Sequence, residues 1–278
     1  MRIKLQTSRS KKLSYRPING AHAIVEVVFF VQFSPEFNQA TRTKLASLEF
    51  DLKNDLPKAE QIKKVAFQFA SGHHPSVQSS DEELLGVVLQ GLKEDGSVEW
   101  MLRTTENTIA IHCLDYTTWA EVSTKAEGFL KKAFAHMGDS NSSLAVVGLK
   151  YVDKFICHDI SDQPNLSELF KNDTPHVVKT AFYNDGLWHS NSGWFDKLDE
   201  LQCLNQLNID ASFMDANENK PIEISIDHTV IAIIGNGNCS EPILELNLDF
   251  MSKLHLKNKK VLADLLTEDM QKRINLKP

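Results

Sequence analysis

The sequence predicts an α+β fold in which helices pack on a large antiparallel sheet. Three observations support this prediction. Segments with the composition of β-strands outnumber those with helical periodicity. Short turn sequences such as Asp95-Gly96 join consecutive strands directly, which is typical of antiparallel hairpins. The order of segments that begins at Ala23 also starts again at Ala145. The 278 residues are enough to bury a core without disulfides or metals.

The first half of the chain is predicted to contain a strand, a helix, four more strands and a closing helix. Residues 23–33 are rich in β-branched and aromatic side chains, which suits a buried strand. Ser34 followed by Pro35 is typical of a helix start, and Pro57 ends that helix. The remaining strands are expected near residues 62–69, 84–92, 98–103 and 108–116, and an amphipathic helix at residues 119–137.

The second half repeats this order with different spacing. Residues 145–155 align with residues 23–33 without a gap, and both segments end in phenylalanine. Later strands are expected at residues 204–214, 222–234 and 243–250, followed by a final helix at about residues 259–274. Such short matches arise either from a duplication or from the shared composition of buried strands, and the sequence leaves both explanations open.

Two similar halves joined edge to edge would form one pseudo-symmetric unit with a continuous sheet. Helices on one face would leave the other face available, as in the TATA-binding and helix-grip architectures, to which this arrangement is analogous. The predicted organisation is a basic flexible arm at residues 1–20, a first α+β half at 21–140 and a second at 141–278. The two halves form either two units or one continuous domain. The analogy concerns the fold and carries no function with it.

The net charge of −7 is distributed unevenly along the chain. The first 20 residues hold six cations and no acid, so the remainder has 24 basic against 37 acidic residues. Such an arm can contact phosphates of nucleic acid in a salt-dependent manner. It can equally be a solvated terminus, or a homodimer contact if its first element pairs as an edge strand. The residues predicted for phosphate contacts are Arg9, Lys11, Lys12 and Arg16.

Composition also bears on the compartment. No apolar segment of the length found in signal peptides follows the N-terminal charges. Apolar runs such as residues 24–31 are far shorter than the roughly 20 residues that cross a bilayer. The four cysteines show no C-x-x-C spacing, so separate reduced thiols are expected. We therefore expect a cytoplasmic protein with no membrane partner.

Several short segments together resemble a known protein family. They include the V-E-V-V-F strand at residues 25–29 and the aromatic helix start at residues 116–119. The strand at residues 147–155 stands where the family has L-R-Y-x-N-x-[IF], with Lys150 in place of the arginine and Asp153 in place of the asparagine. On these motifs the chain resembles a sporadically distributed family of conserved bacterial proteins of unknown function. The resemblance implies one intact two-part domain of bacterial or phage origin, linked to defence or toxin–antitoxin loci.

Sequence motifs that suggest chemistry have simpler structural explanations. His73 and His74 are adjacent, so their side chains diverge; we expect an exposed loop in which they are candidate ligand contacts. The polar residues of segment 112–115 alternate between the two faces of a strand. Residues 235–238 contain two glycines but precede a strand, whereas phosphate-binding loops open a helix. We therefore predict no catalytic residue, no cofactor and no metal ligand.

Two tryptophans and an arginine are the other candidate contacts for a ligand or partner. Trp188 and Trp194 bracket a segment that is typical of a turn, so they could stack as a cross-strand pair or form an exposed platform. Arg103 and Trp100 belong to one predicted strand, and alternation places them on opposite faces. Only one of these two side chains can therefore line the open face of the sheet.

Together these features favour a binding protein over an enzyme. The leading hypothesis is a non-enzymatic interaction protein that holds a protein partner on the open sheet face or in the cleft between the halves. The first alternative is a nucleic-acid-binding protein that uses the basic arm and the open face. The second alternative is an enzyme whose site is assembled from distant segments, namely His73, His112, Asp153 and His158.

Overall fold

A computed structural model describes residues 14–64, 67–68, 78–79, 83–138, 140–157, 165–183, 187–214, 221–234 and 248–277. Over these residues the protein is a mixed α+β fold with a large antiparallel sheet and few helices, which confirms the predicted class. Several predicted features lie outside the described residues. They are residues 1–13 of the basic arm with Arg9, Lys11 and Lys12, the pair His73 and His74, His158, Cys239, and the segment 235–247.

The first half of the chain forms eight strands and three helices. They are β1 (Tyr15–Pro17), β2 (Ile24–Ser34), α1 (Gln39–Ala46), α2 (Leu48–Asp51), β3 (Lys58–Lys64), β4 (Phe67–Gln68), β5 (Gln78–Ser79), β6 (Glu83–Leu92), β7 (Val98–Thr104), β8 (Thr108–Cys113) and α3 (Trp119–Met137). The second half contributes β9 (Ser143–Cys157), β10 (Trp188–Leu198), β11 (Leu201–Phe213), β12 (Ile222–Ile233), α4 (Leu248–Leu265) and α5 (Glu268–Arg273).

The main sheet has the strand order β10-β11-β12-β9-β2-β8-β7-β6-β3, and all neighbours are antiparallel. Its centre is the pairing of β2 with β9, where Val28 lies opposite Lys150. The last residues of β9 extend beyond β2 and pair with β1 instead. The short strands β4 and β5 form a separate pair.

One face of the sheet carries the core. Strand alternation directs Val27 and Phe29 of β2, and Leu149 of β9, toward α3, whose buried stripe includes Phe129 and Ala133. The inward residues of the second half pack against α4 in a second apolar cluster, which includes Phe155, Ile209, Ile224, Ile226 and Leu265. Helices α3 and α4 therefore cover the same face. Half-exposed and exposed side chains of the central strands occupy the opposite face, which the described helices leave open.

The predicted start of the first helix is wrong. Ser34 pairs with Ser143 as the last residue of β2, so it continues the strand and does not cap a helix. Helix α1 begins instead at Gln39, where the side chain of Asn38 accepts a hydrogen bond from the backbone N–H of Thr41.

The predicted C-terminal helix is wrong in its start and in its continuity, although helical structure does end at Arg273, near the predicted end. Helix α4 begins at Leu248, within the predicted strand at residues 243–250, and ends at Leu265. Thr267 then caps a separate helix, α5, by accepting a hydrogen bond from the backbone N–H of Met270. The apolar periodicity continues across this break, so periodicity alone merged the two helices.

Strand β1 falls within the range of residues that the sequence assigns to a flexible arm. Tyr15 is buried, and it belongs to strand β1, which pairs with the end of β9. Arg16 lies between two buried residues of β1 and is itself exposed. The folded part of the chain therefore extends into the range 1–20 that the sequence assigns to a flexible arm.

Two further predictions can be compared with the described residues. Cys113, Cys157 and Cys203 are buried and form no disulfide, in agreement with the expected thiols. Among the described helices, none combines the length and the apolar character that a membrane span requires.

Candidate functional site

A cavity of about 470 Å³ lies between the sheet and helix α4. It is formed where β2 begins, and β9, β12, the start of α3 and residues 274–276 complete its walls. Its apolar lining includes Ile24, Ile226, Leu262, Leu265, Ile274 and Leu276. Its polar lining includes His22, Tyr116, Tyr151, Asp153, His228, His255, Asn258 and Lys259. A volume of this size lies in the range of about 300–1,000 Å³ that is typical of small-molecule sites.

Asp153 is an acid at a core position of the sheet. It follows Leu149 and Tyr151 on the inward face of β9, and Phe155 continues the same face. Ile226 lies opposite it on β12, and Ile24 lies opposite it on β2. The register between β2 and β9 shifts immediately after Ile24, so the pairing is irregular beside Asp153, where the cavity lies.

The carboxyl group of Asp153 has no counter-charge among the described residues. The residue is only 4% exposed, and burial raises its pKa from 3.8 to about 7. Its Oδ1 atom is buried and has no hydrogen-bond partner in the described protein. An unpaired polar atom of this kind costs about 1–3 kcal/mol. Titratable residues that lie in a cavity and have a pKa near neutrality are often found at binding or proton-transfer sites.

His228 presents a neutral imidazole to the same cavity. It lies opposite Tyr151 on β12, so it is a diagonal neighbour of Asp153, and it is 4% exposed. Burial lowers its pKa to about 4, while the neighbouring Asn258 side chain opposes this shift. Neither ring nitrogen has a described partner with hydrogen-bonding geometry. At neutral pH the ring therefore offers one N–H donor and one nitrogen acceptor.

Asn258 brings a third unpartnered group. Its Nδ2 donates to the carbonyl oxygens of Leu149 and Leu254, each at 3.4 Å, which fixes the orientation of the amide. Its buried Oδ1 lies close enough to the His228 ring to raise the pKa of that imidazole, although no described residue gives it a partner of good hydrogen-bond geometry. The Asn258 amide oxygen is thus an acceptor on α4 that lines the cavity close to β9.

Aromatic rings form the wall at the start of α3. The hydroxyl of Tyr151 is hydrogen-bonded to Nδ1 of His255, with 2.8 Å between the two atoms. Burial lowers the pKa of His255 to about 4 and raises that of Tyr151, so both groups are neutral at pH 7. Trp119 stacks on His255 with 4.1 Å between ring centroids and on Phe29 with 5.7 Å. These stacks hold α3 and α4 at a fixed separation.

Tyr116 completes the aromatic wall. Its ring meets Tyr151 edge to face at 6.5 Å between centroids and His22 at 5.4 Å. Burial raises the pKa of Tyr116 to about 12, so its hydroxyl stays protonated. Nδ1 of His22 is a further buried nitrogen with no described partner.

The site has hydrogen-bonding chemistry without a recognisable metal centre. Among the described residues, no group of three or more His, Cys, Asp or Glu side chains could hold a metal ion. The buried polar atoms of the cavity without described partners are one carboxyl oxygen, one amide oxygen and imidazole nitrogens of His22 and His228, of which the His228 ring is neutral at pH 7. This arrangement can hold a small molecule and exchange a proton with it through Asp153.

The predicted tryptophan pair is wrong in its geometry. Trp188 and Trp194 lie in one continuous edge strand, β10, and no turn separates them. Both are half-buried against the second apolar cluster. Trp194 stacks on His176 with 4.8 Å between ring centroids and on His228 with 6.0 Å. Trp194 therefore supports the cavity from behind His228 and is not an exposed platform.

The other predicted contacts lie away from the cavity. Arg103 is exposed on the open face of β7, while Trp100 is buried in the core, as alternation predicts. His112 is also on the open face, where its Nδ1 lies 2.7 Å from Oε1 of Glu26. Asp153 points to the opposite, covered face. The structure therefore does not bring His112 and Asp153 together.

A serine, a histidine and an aspartate meet elsewhere, at the junction of α1, α2 and α3. Nδ1 of His136 lies 3.1 Å from Oγ of Ser47, and its Nε2 lies 2.7 Å from Oδ2 of Asp51. The Ser47 hydroxyl, however, donates to the carbonyl oxygen of Lys44 at 2.6 Å. Its proton is thus directed away from the imidazole, and the group serves to connect three helices.

Sequence reasoning missed His228, Asn258 and Tyr151 as site residues. The sequence did carry a signal for two site residues. Asp153 and His228 each stand at an inward position of a strand, because the residues two places before and after them face the core. A polar residue in an otherwise apolar inward register is a departure from strand patterning. Asn258 gave no comparable signal, since its role depends on how α4 docks.

Comparison with known proteins gives no assignment. No protein-family model matches the sequence, and no curated protein matches it significantly. The resemblance to a bacterial family of unknown function therefore stays a prediction.

Proposed function

We propose that the protein binds a small organic molecule in the cavity between the sheet and α4. The observation that carries this proposal is the set of buried polar atoms without described partners that faces an apolar space of about 470 Å³. Buried polar groups in proteins are nearly always hydrogen-bonded. A ligand that supplies the missing partners gains binding free energy from each group that it satisfies.

The lining favours an amphipathic ligand. The polar atoms of Asp153 and His228 lie on the central strands, and the Asn258 amide reaches β9 from α4. Leu262 and Leu265 of α4, with Ile274 and Leu276 beyond α5, supply apolar surface. A few placed polar groups in a mostly apolar pocket are the usual composition of small-molecule sites.

This proposal retains the predicted binding role but changes its partner. A protein partner on the open face has weaker support, although Phe195 is 60% exposed there. Phosphate binding at the centre of the open face has little electrostatic support. Lys150 pairs there with Asp227 at 2.6 Å, and Lys154 pairs with Glu223 at 2.7 Å. These pairs leave no excess positive charge to attract a polyanion.

We further propose that the two halves are related by pseudo-symmetry. In support, β8 flanks β2 as β12 flanks β9, and the central pair joins Val28 to Lys150. These two residues are counterparts in the alignment of residues 23–33 with 145–155. The same alignment places Asp153 over Val31, a fully buried apolar residue. The polar cavity would then be a specialisation of one half, on a scaffold of the helix-grip kind.

Titration with the uncharged fluorescent probe N-phenyl-1-naphthylamine tests the binding role. We expect saturable binding of one probe per chain with increased emission. Leu262→Trp places an indole in the cavity and should weaken binding at least 10-fold, which is about 1.4 kcal/mol. Leu256→Trp is the matched control on the exposed side of α4, and it should bind as the parent chain does.

The binding proposal is contradicted if the parent chain binds no probe saturably, or if the two tryptophan variants bind it equally well. Circular dichroism and thermal unfolding of both variants establish that the comparison is made between folded proteins. A role limited to the open face predicts the second of these results, because neither leucine lies there.

A further inference from the structure

We infer that the ligand is an organic amine whose ammonium group binds at Asp153. This inference rests on the proposed binding function and assigns the chemical class of its ligand. Its basis is the kind of polar atom that the cavity leaves unpartnered, together with the isolated charge of the buried acid.

The unpartnered atoms are mainly acceptors. Oδ1 of Asn258 is always an acceptor, and Oδ1 of Asp153 is one when the acid is ionised. The neutral ring of His228 offers one acceptor nitrogen. An ammonium group has three N–H donors and no acceptor, so it can donate to acceptors of this kind. A carboxylate or phosphate head would instead place further acceptors against them.

The negative charge of the buried Asp153 carboxylate also favours an amine. Asp153 forms no salt bridge with a described residue, and burial alone accounts for its perturbed titration. A cation bound against a buried carboxylate forms a charge-assisted hydrogen bond, which is roughly twice as strong as a neutral one. The amine would thus supply the counter-charge that the folded chain does not provide.

Among the described residues that line the cavity, Lys259 carries a positive charge, which could neutralise Asp153 if the two groups met. It is half-buried and acts on His255, whose pKa it helps to lower after burial. His255 belongs to the aromatic wall and engages Tyr151. Lys259 is not among the causes of the perturbed pKa of Asp153, which burial alone raises, and Asp153 lies on the sheet between Ile24 and Ile226.

Tyrosine rings add a second attraction for a cation. Tyr116 and Tyr151 both line the cavity, and Tyr151 is the inward neighbour of Asp153 on β9. The faces of such rings attract ammonium groups, and this attraction increases when the cation is desolvated. The apolar part of the amine would pack against Leu262 and Leu265.

A matched series of ligands tests the inference by calorimetry at pH 8, where Asp153 is mostly ionised. The probes are 3-phenylpropylamine, 3-phenylpropan-1-ol and 3-phenylpropanoate, which share one apolar body. We expect the amine to bind at least 10-fold more tightly than the alcohol, and the carboxylate to bind most weakly. In Asp153→Asn, the amine and the alcohol should bind within 3-fold of each other. Asp227→Asn, on the open face, should keep the preference for the amine.

Failure of this inference can be distinguished from failure of the binding function. Equal binding of the three ligands, or preference for the carboxylate, overturns the amine assignment while N-phenyl-1-naphthylamine binding remains. Retention of the amine preference in Asp153→Asn overturns it as well. If neither the amine nor the fluorescent probe binds the parent chain, the binding function itself is contradicted.

Discussion

Asp153→Asn is expected to stabilise the ligand-free protein above neutral pH by about 4 kcal/mol. The native pKa of Asp153 is about 7 and its ordinary value is 3.8, so the native state holds a proton that the unfolded state releases. Each pH unit between these values changes the stability by about 1.4 kcal/mol. Asparagine has the shape of the protonated acid and carries no charge to bury.

The sign of this effect follows from proton linkage. Below pH 3.8 both states bind the proton, and Asp153 lowers the free energy of unfolding very little. As the pH rises toward 7, the unfolded state binds fewer protons than the native state, so stability falls. Above pH 7 the native state also releases the proton, and the loss is complete.

Urea unfolding of the parent chain and Asp153→Asn from pH 4 to pH 8 measures this effect. His228 and His255 have lowered pKa values of about 4, so they increase stability as the pH rises from 4 to 6.5 in both proteins. The difference between the two proteins removes this common contribution. That difference should increase with pH up to about 7 and then level off; a constant difference, or a less stable variant at pH 8, would contradict the account.

His228→Leu is expected to raise the stability of the ligand-free protein by about 2–4 kcal/mol at pH 7. The imidazole buries two nitrogens without described partners, and each unpaired atom costs about 1–3 kcal/mol. Leucine has a similar volume, suits the apolar face of β12 and packs against Trp194. A stabilising substitution at a buried histidine is unusual, and it is typical of residues kept for function.

The matched control is His189→Leu at an exposed position of β10, for which a change within about 0.5 kcal/mol is expected. Chemical denaturation of both variants at pH 7 gives the comparison. A loss of stability in His228→Leu larger than that in His189→Leu would show that His228 is a structural residue. The account also requires that His228→Leu weakens amine binding.

The sheet could be predicted from sequence because its strands obey local rules. The alternation in residues 108–113 and the Asp95-Gly96 turn fix adjacent strands without reference to distant residues. The edge strand β10 was missed because its polar segment between Trp188 and Trp194 has the composition of a turn. Its pairing with β11 decides the structure there, and that pairing is a tertiary interaction.

The cavity could be predicted only in part. Asp153 was noted as a departure from the family pattern, and its inward register could have marked it as buried. His228, Asn258 and Tyr116 come from distant parts of the chain, and their proximity depends on the docking of α4 against the sheet. Pattern analysis within one segment contains no information about that docking angle. The unpartnered state of their polar atoms is likewise a property of the assembled fold.

The central claim is that the space beside Asp153 is the binding site, and isoleucine methyl signals in NMR spectra test it most directly. Ile226 and Ile274 line the cavity, while Ile231 lies on the open face of the same strand as Ile226. On addition of 3-phenylpropylamine, the methyl signals of Ile226 and Ile274 should shift to saturation and that of Ile231 should stay in place. A shift of Ile231 without a shift of Ile226 would contradict the account.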